Sequence, residues 1–237
     1  MISVSLPIIA HIHSPYREKF GIPRQPNLVQ VQSRIRLCPP YDTLQALKGI
    51  QEFSHLWLIW QFHENKNQTQ QNKFRPQIRP PRLGGNEKIG VFASRSMYRP
   101  APIGLSVVKL VDIEQNAQGV WLVVEDADLL DGTPILDIKP YLHYADAIQD
   151  AKSSYAQHEP PRLSVIWSPH AEQLKQNALA QQLVSVQHFT ELEQVLSLDP
   201  RPAYQNDTQR IYAMKFANLD VKFRIAQQLE IIDFTIE

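Results

Sequence analysis

Residues 28–37 read LVQVQSRIRL, and this alternation constrains the fold more than any other stretch of the chain. Leu28 leads into Val29, Val31, Ile35 and Leu37 on one parity, while Gln30, Gln32, Arg34 and Arg36 hold the other. A period of two is the mark of a half-buried strand, one face in a core and one in water. The run FSHLWLIWQF at 53–62 is aromatic and continuous enough for a strand buried on both faces. Gly104–Ile113 and Gly119–Val124 are β-rich runs joined across Asn116-Ala117-Gln118-Gly119, which reads as a hairpin. Asp131-Gly132 then breaks the chain before a last run, Ile135–Lys139. One short helix is expected here, at Thr43–Lys48, with Asp42 in the cap position and Gly49 behind it. Many strands and few helices imply an antiparallel barrel or sandwich for residues 1–150.

The character changes after residue 150. Ser153–Arg162, with Glu159-Pro160-Pro161, reads as a linker, and Leu163–Trp167 as a strand. Ser168-Pro169 supplies an N-cap and a proline at the first helical position, opening a Gln- and Leu-rich helix. A second helix is expected over Val186–Leu198, then three β runs at Arg210–Phe216, Val221–Ala226 and Leu229–Ile236. Residues 151–237 therefore read as a smaller α+β domain, in a chain whose 237 residues allow one large domain or two small ones.

Charge is informative only when resolved along the chain. The 24 Lys and Arg balance 24 Asp and Glu, which argues against indiscriminate coating of nucleic acid or acidic membrane. From Lys66 to Arg99, however, eight basic residues face one acidic residue, Glu87, and from Asp112 to Asp150 nine acidic residues face Lys139. The basic segment also carries Pro76, Pro80, Pro81 and Gly84-Gly85, so it reads as a long exposed loop. It either keeps the protein soluble or presents arginines to RNA phosphates. A single cysteine, Cys38, excludes an intramolecular disulfide and suits a reducing, cytoplasmic setting. The first 20 residues lack the basic start and apolar run of a signal peptide, and no apolar stretch reaches a membrane span.

Several chemistries find no motif. There is no phosphate-binding Gly-x-x-x-x-Gly-Lys-Ser/Thr loop, no Gly-x-Gly pair for a dinucleotide crevice and no His-Glu-x-x-His. His11-x-His13 puts two imidazoles on one face of a strand without an evident third ligand, so no metal is expected. Ser94 and Ser96 lie outside a Gly-x-Ser-x-Gly turn, which argues against a serine hydrolase.

Two dense segments remain, Gly90 to Ser106 (GVFASRSMYRPAPIGLS) and Asp128 to Tyr141 (DLLDGTPILDIKPY). They resemble the signature segments of the TsaA-like family, also called TrmO or YaeB-like, of S-adenosylmethionine-dependent tRNA methyltransferases. Ser14-Pro15-Tyr16, Gly21-Ile22-Pro23-Arg24-Gln25-Pro26 and Phe62-His63-Glu64-Asn65 extend the likeness, in order, over about residues 6–146. Asp199-Pro200-Arg201-Pro202-Ala203-Tyr204 is similar to the C-terminal domain of bacterial members.

The resemblance implies a small, non-Rossmann β-barrel, a homodimer, and methyl transfer from S-adenosylmethionine to N6 of threonylcarbamoyladenosine at position 37 of threonine tRNAs. It implies a cofactor pocket of Arg24, Gln25, Pro26, His63, Glu64, Arg95, Leu105, Leu130, Asp131, Gly132 and Thr133. Pattern alone allows plainer roles: a hairpin corner at Asp131-Gly132, a surface ion pair for Arg95, a strand-end imidazole for His63. Arg75, Arg79 and Arg82 are expected to grip the tRNA backbone, and Arg99 the threonyl carboxylate. Asp131 and His63 are both candidates for a general base. A non-catalytic protein that binds RNA or senses S-adenosylmethionine, and a small-molecule methyltransferase, are the alternatives.

Overall fold

The alternation at 28–37 is shared between two cores. In the computed structural model, which describes residues 4–65, 74–202, 205 and 207–237, Ile35 and Leu37 bury beside Ile12, Leu58 and Leu122. Val29 and Val31 bury instead beside Phe189, Leu192 and Phe223. The regular strand begins only at Gln32. Ahead of it, the Gln30 N–H donates to Gln194 Oε1 at 2.8 Å and the Gln32 N–H to Glu191 Oε1 at 3.2 Å. Side chains of a distant helix take donors that a neighbouring strand would otherwise use, so the alternation outlasts the sheet.

In chain order the elements are β1 (Ala10–His13), β2 (Gln32–Leu37), β3 (His55–Gln61), β4 (Gln77–Ile78), β5 (Ile89–Gly90), β6 (Ile103–Asn116), β7 (Gly119–Glu125), β8 (Pro134–Pro140), α1 (His143–Asp146), β9 (Val165–Trp167), α2 (Pro169–Ala180), α3 (Val186–Ser197), β10 (Ile211–Phe216), β11 (Leu219–Ile225) and β12 (Leu229–Ile236). Six strands pair antiparallel in the order β1-β2-β7-β6-β3-β8. β8 returns to β1 through Ala10–Ile135 and His11–Pro134. The chain is mainly β with few helices, as its composition of turns and alternating runs implies.

Three local expectations need correction. Residues 43–48 form successive i→i+3 turns, with Ala46, Leu47 and Lys48 N–H bonded to Thr43, Leu44 and Gln45 carbonyls, rather than an α-helix. Only Leu47 of that stretch is buried, so no apolar face exists to hold a full helix against the sheet. β3 is not buried on both faces: Leu56, Leu58 and Trp60 point into the core while His55, Trp57 and Ile59 stay partly open. The basic segment is more than a loop, because β4 and β5 pair through Gln77–Gly90 and Ile78–Ile89 and close a small ribbon around residues 79–88.

The second sheet runs β10-β11-β12-β9, with β9 parallel to β12 and the rest antiparallel. Ser168 Oγ caps α2 by accepting from the Ala171 N–H at 3.1 Å, as Ser168-Pro169 implies. α3 packs on this sheet through Phe189, Leu192, Val195 and Leu196, a spacing that places all four on one helical face. The segment after β1 joins the two sheets: Tyr16 bridges to Phe216, and the Pro15 carbonyl accepts from the Ala217 N–H at 2.8 Å.

Candidate active site

Residues 126–133, between β7 and β8, form a spine on which most of the expected site residues converge. The Asp126 carbonyl accepts from the Asn27 N–H at 3.1 Å, holding the Arg24-Gln25-Pro26 segment nearby. The Leu129 carbonyl accepts from Ser14 Oγ at 2.7 Å, and Asp131 Oδ1 accepts from the Ser14 N–H at 3.1 Å. Asp131 and Gly132 N–H donate to the Tyr16 and Ile12 carbonyls. The turn is thereby tied to β1 on its inner side. Gly132 has φ +76°, and a Cβ built on it would meet nothing within 4 Å, so its outer side is open.

One cluster gathers at this turn. Thr133, 2% exposed, donates its hydroxyl to the Leu130 carbonyl at 2.7 Å. Its oxygen lies 3.5 Å from His63 Nδ1. Because the Thr133 hydrogen is committed to Leu130, this long contact suits a hydrogen carried on His63 Nδ1, which leaves Nε2 with its lone pair. Partial burial, aided by the nearby Lys19 and His11, lowers the His63 pKa from its ordinary value, although Glu64 and Asp131 pull the other way. The Glu64 carbonyl accepts from Lys19 Nζ.

A second cluster gathers around Arg95, which donates to Gln25 Oε1 at 2.5 Å. Arg24 reaches the Arg201 carbonyl at 3.3 Å. Leu105 lies on the outer face of β6, 51% exposed. Its neighbour Ser106 points inward and donates to Asp128 Oδ1 at 2.6 Å, while Trp60 Nε1 donates to Ser106 Oγ at 3.0 Å. Burial pushes Asp128 up to about 6, against the Ser106 hydrogen bond and the charge of Arg95. Ser106 and Asp128 stand at the end of one signature segment and the start of the other, yet neither carries a role that residue type alone would suggest. Their position at those ends was the available signal.

The expected RNA-contact residues lie apart from this spine. Arg75, Arg79 and Arg82 are exposed on the β4–β5 ribbon. Arg82 donates to the His158 carbonyl at 2.6 Å, which ties the ribbon to the 153–162 segment. Arg99 donates to the Ser94 carbonyl at 2.9 Å and lies 5.6 Å from the centroid of the exposed Phe92 ring. Lys66, Lys73, Ala203 and Tyr204 fall outside the described residues. His11 and His13 do not converge: His11 Nδ1 is 3.5 Å from Cys38 Sγ, and His13 packs on Trp121 at 5.2 Å. Among the described residues no group of three His, Cys, Asp or Glu could hold a metal ion. An open groove of about 890 Å³ between Leu44–Ser54 and Leu110–Ile113 holds none of the expected site residues.

The tRNA-methyltransferase O N-terminal domain matches residues 11–147, and the TrmO C-terminal domain matches residues 160–235. This chain belongs to the TrmO family. The tRNA (adenine(37)-N6)-methyltransferase of Escherichia coli (strain K12) is 40% identical over 233 residues, covering 95% of this chain and 94% of that protein. A Pseudomonas aeruginosa relative whose name contains the words S-adenosylmethionine-dependent methyltransferase is 46% identical over 216 residues, 90% of this chain and 89% of its own. A crystal structure of TrmO from Pseudomonas aeruginosa superposes with TM-score 0.79 at 34% identity, covering 99% of both chains. The spine, the His63 cluster and the Arg95 cluster all fall inside the N-terminal TrmO match.

Proposed function

We propose that this TrmO-family chain methylates N6 of adenosine 37 in tRNA with S-adenosylmethionine, and that its substrate nucleoside is threonylcarbamoyladenosine in threonine tRNAs. The observation that carries this reading is the end-to-end match to the Escherichia coli tRNA (adenine(37)-N6)-methyltransferase. The residues present suit the cofactor. Arg95 and Gln25 offer donors for a carboxylate, Asp128 a half-buried acceptor for positive charge, the Gly132 turn an open backbone edge, and Leu105 an apolar surface for a base. We read residues 1–150 as the cofactor-binding domain and the cycle of six paired strands as the small non-Rossmann barrel, with residues 151–237 as a second domain.

S-adenosylmethionine, when bound, supplies a methyl group on a positively charged sulfur. The chain's task is to hold the attacking nitrogen in line with that methyl group and to take its proton. Asp131 spends Oδ1 on the Ser14 N–H, whereas His63 keeps the lone pair of Nε2 on a ring biased toward neutrality. His63 is therefore the proton acceptor in this reading. Arg99 pairs with the threonyl carboxylate, and Arg75, Arg79 and Arg82 bind backbone phosphates of the anticodon arm.

A homodimer would cover surface such as Tyr144 and Ile148, which are 88% and 70% exposed. A cytoplasmic location fits the lone cysteine, and among the described residues no helix is long and apolar enough to cross a membrane. The test is nucleoside mass spectrometry of threonine tRNA from cells lacking the protein. Loss of the N6-methylated threonylcarbamoyladenosine, restored by purified protein and S-adenosylmethionine, is the expected result. An unchanged nucleoside profile would favour a non-catalytic RNA-binding protein.

A further inference from the structure

Asp128 is held in place by groups that are themselves fixed. Ser106, 1% exposed, donates to its Oδ1, and Trp60, 7% exposed, donates to Ser106. Hydrogen-bonded chains of this kind hold a carboxylate in one orientation. Among the described residues Asp128 makes no ion pair within 4 Å, although the charge of Arg95 acts on it. Asp128 is half-buried, and a carboxylate partly withdrawn from water without a paired cation is costly, so a fold that keeps one at a binding site has a use for an arriving positive charge. Arg95 makes the surroundings cationic, and a cationic ligand entering them needs a local counter-charge. Of the other acids on the spine, Asp131 is committed to the Ser14 N–H. Asp126 lies at the far end, next to Glu125 and Lys109.

We infer that Asp128 is the binding group for a cationic centre of the methyl donor, its carboxylate facing the sulfonium or the ammonium of S-adenosylmethionine. This rests on S-adenosylmethionine being the cofactor. Two charged or titratable groups act with Asp128 directly: Arg95 from the 94–99 segment, and the buried Tyr16 after β1, on which Glu191 from α3 and Asp126 also act. Burial raises the Tyr16 phenol well above its ordinary value, so it stays protonated. Asp128 itself titrates near 6. A group ionising at about 6 is charged in about one molecule in eleven at pH 5, so a ligand that needs the charge binds about tenfold more weakly there than at neutral pH.

Isothermal calorimetry with S-adenosylmethionine, at pH 5.0 and 7.5 and in two buffers at pH 6, tests the inference. Wild-type protein is expected to bind about tenfold tighter at pH 7.5 and to release about half a proton per ligand at pH 6. Asp128→Asn, which keeps an acceptor for Ser106, is expected to lose the pH dependence. His63→Gln should retain it, which separates Asp128 from His63, whose pKa is lowered from 6.5. S-adenosylhomocysteine, which lacks the sulfonium charge, distinguishes the two cations. A lost pH dependence assigns Asp128 to the sulfonium, and a retained one to the ammonium. Identical pH dependence in wild type and Asp128→Asn, or no proton release by wild type, overturns the inference and leaves the cofactor reading intact. Failure of wild type to bind S-adenosylmethionine at either pH removes both. The proton-release measurement needs no variant, so a misfolded Asp128→Asn does not protect the inference.

Discussion

Trp60 lies across Gly104 on the paired strand so closely that a Cβ at Gly104 would sit 2.2 Å from the ring atoms Cε2 and Cζ2. The same ring carries the Nε1–H that donates to Ser106, so the packing of one strand pair sets the hydrogen bonding of Asp128. Gly104→Ala forces the indole to move and is expected to destabilise the fold by roughly 1–3 kcal/mol, as overpacked cores do. It should weaken S-adenosylmethionine binding as well. Urea unfolding and calorimetry on the same variant check both effects, and a loss of stability with unchanged affinity would break the link between Trp60 and the site.

Asp128 also sets how stability depends on pH. Its folded-state value, about 6, is above the ordinary 3.8, so between those values the folded protein binds more protons than the unfolded chain. This contribution is most favourable at low pH and is lost as pH rises through 6. Keeping Asp128 ionised at neutral pH thus costs on the order of 2–3 kcal/mol. Asp128→Asn is expected to melt above wild type at pH 7.5, with the gap reduced to about half at pH 5 and closing only as pH falls below 3.8. A variant that melts below wild type at pH 7.5 contradicts the burial cost.

His63 can be tested by its kinetics. His63→Ala should lower the single-turnover methyl-transfer rate by roughly 10²–10⁴, the usual range for loss of a general base, while changing S-adenosylmethionine affinity far less. The base works in its neutral form, and its pKa is shifted below 6.5. The wild-type rate should therefore fall on acidification only below about pH 6.5, and that limb should vanish in the variant. An unchanged pH–rate profile in His63→Ala assigns the proton to another acceptor.

The arginines of the ribbon and of the 94–99 segment should separate into two behaviours. Arg79→Ala is expected to weaken tRNA binding regardless of modification and to reduce the salt slope by about one. Arg82→Ala should do the same and also loosen the 153–162 segment, because it removes the bond to the His158 carbonyl. Arg99→Ala should lower activity on threonylcarbamoylated tRNA while sparing cofactor affinity. Nitrocellulose filter binding across a salt series, beside calorimetry for the cofactor, distinguishes them; a flat salt response removes the phosphate-clamp role.

Much of the fold is legible because strands with one buried face must alternate. The 119–125 strand follows instead from a continuous β-rich run, its hairpin partner from the turn between them, and the helix behind Ser168-Pro169 from capping, and all three appear where those signals fall. The same signals fail where tertiary partners intervene. Asp42 to Gly49 has the spacing of a helix, but its single buried residue gives a helix nothing to pack against. The alternating run from residue 28 promised one strand, and the side chains of Glu191 and Gln194 end it at Gln32.

The sequence alone determined the two signature segments, the alternation of the strands, and the opposed charges of residues 66–99 and 112–150. These are local properties, written in neighbouring residues. Tertiary structure decided which residues meet. Trp60, Ser106 and Asp128 are separated by 46 and 22 positions, and only the pairing of β3 with β6 and the return of the chain after β7 bring them into one hydrogen-bonded line. A carboxylate's burial, and with it the elevated pKa of Asp128, depends on atoms contributed by distant segments. No period or motif in one stretch of chain encodes that.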